Sequence, residues 1–436
     1  MKNFNIAIVG LGNIGMYLYK HLIKNKNNIK KKTNVNFTVK YVSVKNKKKK
    51  RKTNVPKIKF LKNYKEAYKK SDIHIVIELI GGSEGAAKNL VFNSIKNKKH
   101  VVTANKALIA KYGDQLSKLA EMNKVNLEFE AAVAGGIPII RTIKEGLITN
   151  KMNKIYGILN GTCNYILSNM SESKKSFNDV LNEAKLLGFA ESDPRDDLNG
   201  IDAKSKIQIL SSLAFNSFIN NSKINVEGIN SIDLIDINNA KMLGYNIKHL
   251  AIAELKNNKL IQRIHPCLVR KDSYISNING VLNAIIIYGH PIGRFTIQGE
   301  GAGPGPTTSA LVSDLCSILR GNIKFPFSIP SRNRKKISSL DISEEIFSSY
   351  IRLDVIDKTG VLSSITNIFS KNKVSVKRLI QNPFKSKKYA SIIIISHAAK
   401  NSNLIRLINE LTNKKFVINK PKFYRIEKTW KILIPS

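Results

Sequence analysis

The chain has 436 residues, enough for two or three domains with sizeable cores. Its 42% hydrophobic content includes no apolar run long enough to span a membrane, and its three cysteines (Cys163, Cys267, Cys316) form no CxxC pair, which excludes a membrane span, a disulfide scaffold and a cysteine zinc site. Lys and Arg outnumber Asp and Glu by 72 to 31, a net charge of +41, but Lys, Asn and Ile dominate throughout without aromatic interleaving, so the excess reads as compositional bias and no nucleic-acid partner is expected.

Residues 4–9 (FNIAIV) predict a buried strand at once, with no leader before it, which together with unpaired cysteines fits the cytoplasm. Gly10-Leu11-Gly12-Asn13-Ile14-Gly15 follows, then the helical run MYLYKHLI. Strand, Gly-x-Gly-x-x-Gly, helix is the setting of a dinucleotide fingerprint. Gly10 permits the tight turn, Gly12 lets the backbone approach a pyrophosphate, and Gly15 lets helix and strand pack closely. The helix N-terminus offers free N–H groups to the phosphates.

The next strand, 37–44 (FTVKYVSV), ends where the adenosine ribose would sit. An NAD-specific chain carries an acid there, but none occurs before Glu66; Lys45 and Asn46 come instead, then the basic run 47–52 (KKKKRK). An ammonium at that place favours a 2′-phosphate, so NADP(H) is expected ahead of NAD(H), against the alternative that Lys45 is one lysine among many. A strand at 73–79, a helix over 85–97 and the strand HVVTAN bring Lys106 to the carboxyl end of a parallel strand, where open α/β sheets bind ligands. Residues 125–140 (VNLEFEAAVAGGIPII) predict a further strand and a glycine turn, where Glu130 and the backbone of Val133, Gly135 and Ile137 could line a pocket with oxygen for a hard cation.

From Ile155 the pattern becomes α+β, with KIYGIL, then Asn160-Gly161-Thr162-Cys163-Asn164-Tyr165, helices over 164–170 and 176–187, and β-rich segments at 259–269 and 281–288. Between them, 188–206 (GFAESDPRDDLNGIDAKSK) gathers five of the 31 acids: Glu191, Asp193, Asp196, Asp197 and Asp202. Pro194 and Gly200 mark a loop, and from Ile201 a helix puts Asp202 and Lys206 on one face. Alone, that pair is an ordinary helical ion pair; set beside an acid cluster in a lysine-rich chain, it suits a cationic ligand group with a lysine at hand for proton work. Cys163 beside Asn164 admits a thiol-nucleophile reading, but no histidine stands near, which favours a small buried residue. Residues 293–306 are glycine-rich and lead to a helix that returns to the first domain. A polar, basic linker follows at 329–343, and 348–436 reads β-α-β-β-α-β, the ferredoxin-like order, with the turn Asp357-Lys358-Thr359-Gly360 after its first strand.

Together, GLGNIG (10–15), ELIGG (78–82), VVTANKAL (101–108), EAAVAGGIPII (130–140), GILNGTCNYIL (157–167), the 188–206 stretch and GAGPGPTTSA (301–310) resemble homoserine dehydrogenase over nearly the whole chain. Residues 348–436 look like the ACT regulatory module of its monofunctional bacterial members. Cys163 stands where threonine is common, and Lys45-Asn46 where Arg-Asp is common. The resemblance implies an α/β chain with a Rossmann dinucleotide-binding domain at 1–133, completed by about 301–325, an α+β catalytic and dimerisation domain at 134–300, and a ferredoxin-like ACT domain at 348–436.

It further implies reversible NAD(P)H-dependent reduction of L-aspartate 4-semialdehyde to L-homoserine, in threonine, methionine and isoleucine biosynthesis. Lys206 would be the proton donor, with Asp202 and Lys106 beside it, and Glu191, Asp202, Asp197 and Asp196 would bind substrate. Residues 10–15, Lys45, Thr103, Lys106, Gly188, Glu191 and Gly303 would touch the cofactor, and Glu130, Val133, Gly135 and Ile137 would hold Na+. Both lysines are expected to have pKa values held low by cationic neighbours and burial. A homodimer or homotetramer, threonine as effector, and an active, threonine-insensitive enzyme after removal of 348–436 complete the expectation. The rivals are another semialdehyde or amino-acid dehydrogenase on the same scaffold, and a non-catalytic regulatory protein, which would lack the acid–lysine site.

Overall fold

The computed structural model describes residues 3–47, 54–220, 222, 224–383 and 388–427; most of the basic run and residues 428–436 lie outside these. Short apolar runs, buried on both faces, make the first sheet. β1 (Asn3–Val9), β2 (Asn36–Ser43), β3 (Ile75–Glu78), β4 (His100–Thr103) and β5 (Leu127–Glu128) are parallel, in the order β2-β1-β3-β4-β5. The strand order reverses between β1 and β3, and open sheets of this order bind ligands beyond the carboxyl ends at that switch. The Pro304–Leu319 helix returns to this domain from far along the chain: Leu311, Leu315 and Ile318 share a core with Ile6, Ile8, Leu18 and Leu22.

The rest of the chain builds one large mixed sheet from β6 (Lys151–Ile158), β7 (Asn225–Val226), β8 (Tyr245–Lys256), β9 (Lys259–Arg270), β10 (Leu282–His290), β11 (Gly293–Glu300), β12 (Ile346–Ile356), β13 (Val376–Pro383), β14 (Tyr389–Ser396), β15 (Ala399–Lys400) and β16 (Lys422–Ile426). Its order is β11-β10-β6-β8-β9-β16-β12-β14-β13, with β7 on β9 and β15 on β12. Helices Gly161–Ser173 and Ile201–Ala214 pack on it, the second through Ile207, Leu210 and Leu213 against Ile155, Ala251 and Ile285.

Two long strands, besides the two-residue β7 and β15, are absent from the sequence reading. The β8 segment (YNIKHLAIAELK) is rich in helix formers, and its pairing with β9 through the Asn257-Asn258 turn, both residues at φ near +50 to +59°, overrides that preference. GRFTIQGE, read as part of a glycine loop, pairs antiparallel with β10 as β11.

The C-terminal unit has sheet order β16-β12-β14-β13 and helices Val361–Lys371 and Asn401–Thr412. It is joined edge-on to the catalytic sheet, because β16 runs parallel to β9 with Arg425 opposite Cys267. Buried charge fills the seam: Arg263 and His265 meet Glu427 at 2.9 and 3.1 Å, and Arg425 meets Glu227 at 2.9 Å. Removal of 348–436 would uncover the β9 edge and strip Arg263 and His265 of Glu427 together, which weighs against the expected clean removal.

Candidate active site

At the switch point the three fingerprint glycines do different work. Gly10 sits at φ +106°, and a Cβ there would lie 2.3 Å from the Leu79 carbonyl oxygen; one at Gly15 would lie 2.0 Å from that of Gly10. A Cβ at Gly12 would meet nothing within 4 Å. Packing thus demands the outer two, while the middle one leaves open space at the N-terminus of the Asn13–Lys24 helix, which suits a dinucleotide pyrophosphate. Leu11 is buried beneath, Asn13 is exposed, and Ile14 lines the adjoining cleft. Lys45 lies exposed just past the carboxyl end of β2.

Thr103 faces inward: its hydroxyl donates to Glu78 Oε2 at 2.6 Å. Glu78 Oε1 accepts the N–H groups of Ile80 and Gly81 at 2.7 and 3.0 Å, so this buried pair shapes the turn against which Gly10 packs. The ELIGG motif was visible in the sequence, but the role of its acid was not.

A cleft of about 610 Å³ opens between the two sheets, with Ile14, Ala104 and Lys106 on one wall and Asn160, Asp202 and Lys206 on the other. Lys106 begins its helix, Lys106–Asn123, which Asn105 caps by accepting the Leu108 N–H. Asp202 lies in the first turn of the Ile201–Ala214 helix, after Gly200 at φ +80°. Its carboxylate joins the two lysines: Oδ1 is 2.8 Å from Lys106 Nζ and Oδ2 is 2.7 Å from Lys206 Nζ. Lys206 also donates to the Leu159 carbonyl at 2.7 Å. An ammonium has three donors, so one remains for a ligand.

Asn160 was given no role by sequence reasoning. Its Nδ2 donates to Asp202 at 2.9 Å and to Asp197 at 2.7 Å, while its Oδ1 accepts the Cys163 N–H and caps the Gly161–Ser173 helix. The available signal was an Asn placed before a helical run, where an N-cap is favoured.

The electrostatics depart from expectation at Lys106. Burial pulls its pKa down, but Asp202, Asp197 and Glu191 outweigh burial, so the ammonium lies above the ordinary lysine value rather than below it. The reason is that three acids face it, Asp202 in direct contact, and they outweigh the Lys206 ammonium on the other oxygen of Asp202. Burial works against the Asp202 carboxylate, yet Lys206 and Lys106 hold it well below the usual carboxylate range. Asp197 shifts upward, through burial and the charge of Asp202.

Glu191 and Gly188 (φ +75°) line the cleft and stay exposed, while Gly303 (φ +113°), before the Pro304–Leu319 helix on the facing wall, is half-buried. Asp196 is exposed and lies off the cleft wall, and Asp193 pairs with Arg195 at 2.6 Å. Cys163 is fully buried, its Sγ 3.2 Å from the Asp197 carbonyl oxygen, and burial pushes the thiol well up, which removes it as a nucleophile.

In the loop expected to take a cation, both Glu130 carboxylate oxygens accept backbone N–H groups, from Ile140 at 2.8 Å and Arg141 at 2.7 Å, and burial pushes the carboxyl up to about 7. Ala134 and Gly135 turn the chain at φ +55° and +45°. Among the described residues there is no group of three or more His, Cys, Asp or Glu side chains placed to hold a metal. The donors present for a monovalent cation are therefore backbone carbonyls of Val133 and Gly135, with Ile137 already accepting from the Ile139 N–H at 2.7 Å. Buried Asp314 accepts the Glu130 N–H at 2.9 Å, and burial with the neighbouring acids raises its carboxyl too, so the pair adds little fixed charge and this oxygen-only set fits at most a weakly held hard ion.

Comparison with known proteins agrees along the chain. Family models match at residues 138–316 (homoserine dehydrogenase), 10–130 (homoserine dehydrogenase, NAD binding domain) and 349–414 (ACT domain). The homoserine dehydrogenase of Bacillus subtilis is 35% identical, covering 98% of this chain and 99% of the relative. That of Neisseria gonorrhoeae is 38% identical, over 91% and 92%. The crystal structure of a homoserine dehydrogenase from Thiobacillus denitrificans superposes with a TM-score of 0.90 at 34% identity, covering 98% of this chain and 99% of that one.

Proposed function

The chain belongs to the homoserine dehydrogenase family of NAD(P)-dependent oxidoreductases, and from that premise we propose that its cleft interconverts L-aspartate 4-semialdehyde and L-homoserine. The observation that carries this reading is the buried Asp202 carboxylate shared by two ammonium groups, one of which keeps a free donor. Lys206 Nζ donates a proton to the aldehyde oxygen as it becomes an alkoxide, and takes it back in the oxidative direction. Asp202, ionised across the working pH range, holds that ammonium in place. Lys106, charged at neutral pH, adds positive potential at the same oxygen and orients the substrate. Glu191, Asp197 and Asp202 provide the negative charge that an α-ammonium group needs; Asp196, off the wall, acts at most at the rim.

The nicotinamide cofactor supplies the hydride when bound. Residues 10–15 would hold its pyrophosphate through the Gly12 opening and the helix N-terminus, with Gly188, Glu191 and Gly303 near its reactive end and Thr103 shaping the wall indirectly. Lys45 supports NADP(H) ahead of NAD(H). A sodium ion at the 130–137 loop, threonine as the ACT unit's effector, a homodimer or homotetramer, and a cytoplasmic setting extend the proposal. Among the described residues no helix is long and apolar enough to cross a membrane. Initial rates of homoserine oxidation with NADP+ test the reading. Lys206→Ala should lose about 10²–10⁴ in kcat with its fold intact, and near wild-type turnover in that variant would remove Lys206 from its role.

A further inference from the structure

The stretch around 329–343, expected to be a plain polar linker, carries one of the most enclosed arginines in the molecule. The Arg334 side chain has 0% exposure, and its Nη2 lies 2.7 Å from Asp114 Oδ1. The same nitrogen donates to Ser212 Oγ at 2.7 Å and to the Ser217 carbonyl at 2.7 Å, and Nε donates to that carbonyl at 3.1 Å. Its guanidinium stacks on Phe327, 4.2 Å from the ring centre. Asp114 belongs to the Lys106–Asn123 helix, and Ser212 to the Ile201–Ala214 helix. One guanidinium therefore holds the two helices that present Lys106, Asp202 and Lys206 to the cleft.

We propose that Arg334 is a positioning residue that sets the spacing of Lys106 from Asp202 and Lys206 by clamping together the far halves of their helices. The inference rests on the catalytic reading of those three residues. The helices already share an apolar core, with Ile109 and Leu116 on one and Leu210 and Leu213 on the other. Apolar contact is non-directional and leaves rotation and sliding open. The Nε and Nη2 donors of a planar guanidinium are aimed in fixed directions, here at Ser212, Ser217 and Asp114 with Nη1 left without a partner, and that defines the register. Lys106 is eight residues from Asp114 and Lys206 is six from Ser212 in the chain, so the clamp lies only about 9–12 Å along each helix from the reacting groups. Over that distance a helix acts as a rigid lever, and a displacement of about 1 Å at the reacting groups can cost about 10²-fold in rate. The neighbourhood is built to leave no slack: a Cβ on Gly113 would lie 2.8 Å from Ile219 Cδ1 and 2.9 Å from Phe327 Cζ, and the Asp114 carboxylate also accepts the Ile219 N–H at 3.1 Å.

The test is steady-state homoserine oxidation across pH, with thermal melts, on the full-length enzyme and on Arg334→Ala, Arg334→Lys and Asp114→Asn. Arg334→Ala should lose about 10²-fold in kcat with KM for homoserine changed less than about tenfold, because two of the three acids that meet the α-ammonium, Glu191 and Asp197, lie outside the clamped helices. Arg334→Lys keeps the charge but not the fork and should fall between that variant and wild type. Wider spacing weakens the hold of Asp202 on Lys106, so the alkaline limb of the kcat profile should move to lower pH in all three, and added methylguanidinium should restore kcat to Arg334→Ala. A lower melting temperature with wild-type kcat and an unmoved alkaline limb would reduce Arg334 to a stabilising residue and overturn the proposal. Should Arg334→Ala not fold, Asp114→Asn carries the same readouts. Lys206→Ala measured alongside separates the two levels: lost turnover there with unchanged Arg334 variants refutes the clamp alone, whereas retained turnover there refutes the catalytic reading and the clamp with it.

Discussion

Replacing Asp202 by Asn removes the one charge that both lysines share while keeping the shape of the side chain. The Lys206 side chain is 10% exposed, so stranding its ammonium without a counter-charge costs on the order of 3–5 kcal/mol. Lys106 is 42% exposed, and solvent screening limits its share to about 1 kcal/mol or less. The Asn oxygen still accepts from one ammonium, which offsets part of this, so the variant should fold with its melting temperature lowered by several degrees. Loss of the group that orients the proton donor should cost about 10²–10⁴ in kcat. The pH dependence has a definite sign. The folded pKa of Lys106 lies above its ordinary value of 10.5, so the ion pair's stabilisation is complete below 10.5 and lost only as pH rises through the folded value. Asp202 is the largest of the acids that raise it, and without that carboxylate the loss should begin at lower pH. Rates of homoserine oxidation from about pH 6 to about 11.5, with melts at each pH, read all three effects, because the limb set by Lys106 lies above its ordinary value in the parent enzyme. A variant with kcat within tenfold of wild type and an unmoved alkaline limb would refute the shared-carboxylate reasoning.

Three further outcomes follow from other parts of the molecule. The ratio of kcat/KM for NADP+ over NAD+ should be at least one and should fall in Lys45→Ala, and a hundredfold preference for NAD+ would sink the argument from that lysine. Gly12→Val fills the space left open at the helix N-terminus, so cofactor Kd should rise about tenfold or more while the melting temperature holds, whereas Gly10→Ala, 2.3 Å from the Leu79 carbonyl, should lower the melting temperature. Threonine at millimolar concentration should inhibit the full-length enzyme, and removal of 348–436 should yield unstable protein rather than a desensitised enzyme, because β16 and the Glu427 carboxylate that pairs with Arg263 are lost together; a soluble, active truncation would show the seam to be dispensable.

What was legible in the sequence was what a few neighbouring residues decide among themselves. The glycine fingerprint, the placing of Asp202 and Lys206 on one helical face, and the β-α-β-β-α-β order of the C-terminal unit follow from backbone freedom, helical period and apolar patterning. Those features were also specific enough to point to the family and to the cleft. Whatever depended on the partner of a distant residue had to wait for the fold. Lys106 meets Asp202 only because two domains close on one cleft, and the company of three acids there sets its pKa above rather than below the ordinary value. Asn160 links Asp197 and Asp202 across more than thirty residues, β8 is a strand because β9 pairs with it, and the C-terminal unit shares a sheet with the catalytic one through two residue pairs of β16. Local propensity acts through bonds and dihedrals that the sequence specifies directly, whereas a charge's neighbours and a strand's edge are set by which surfaces the hydrophobic cores bring together, and only the tertiary structure decides that.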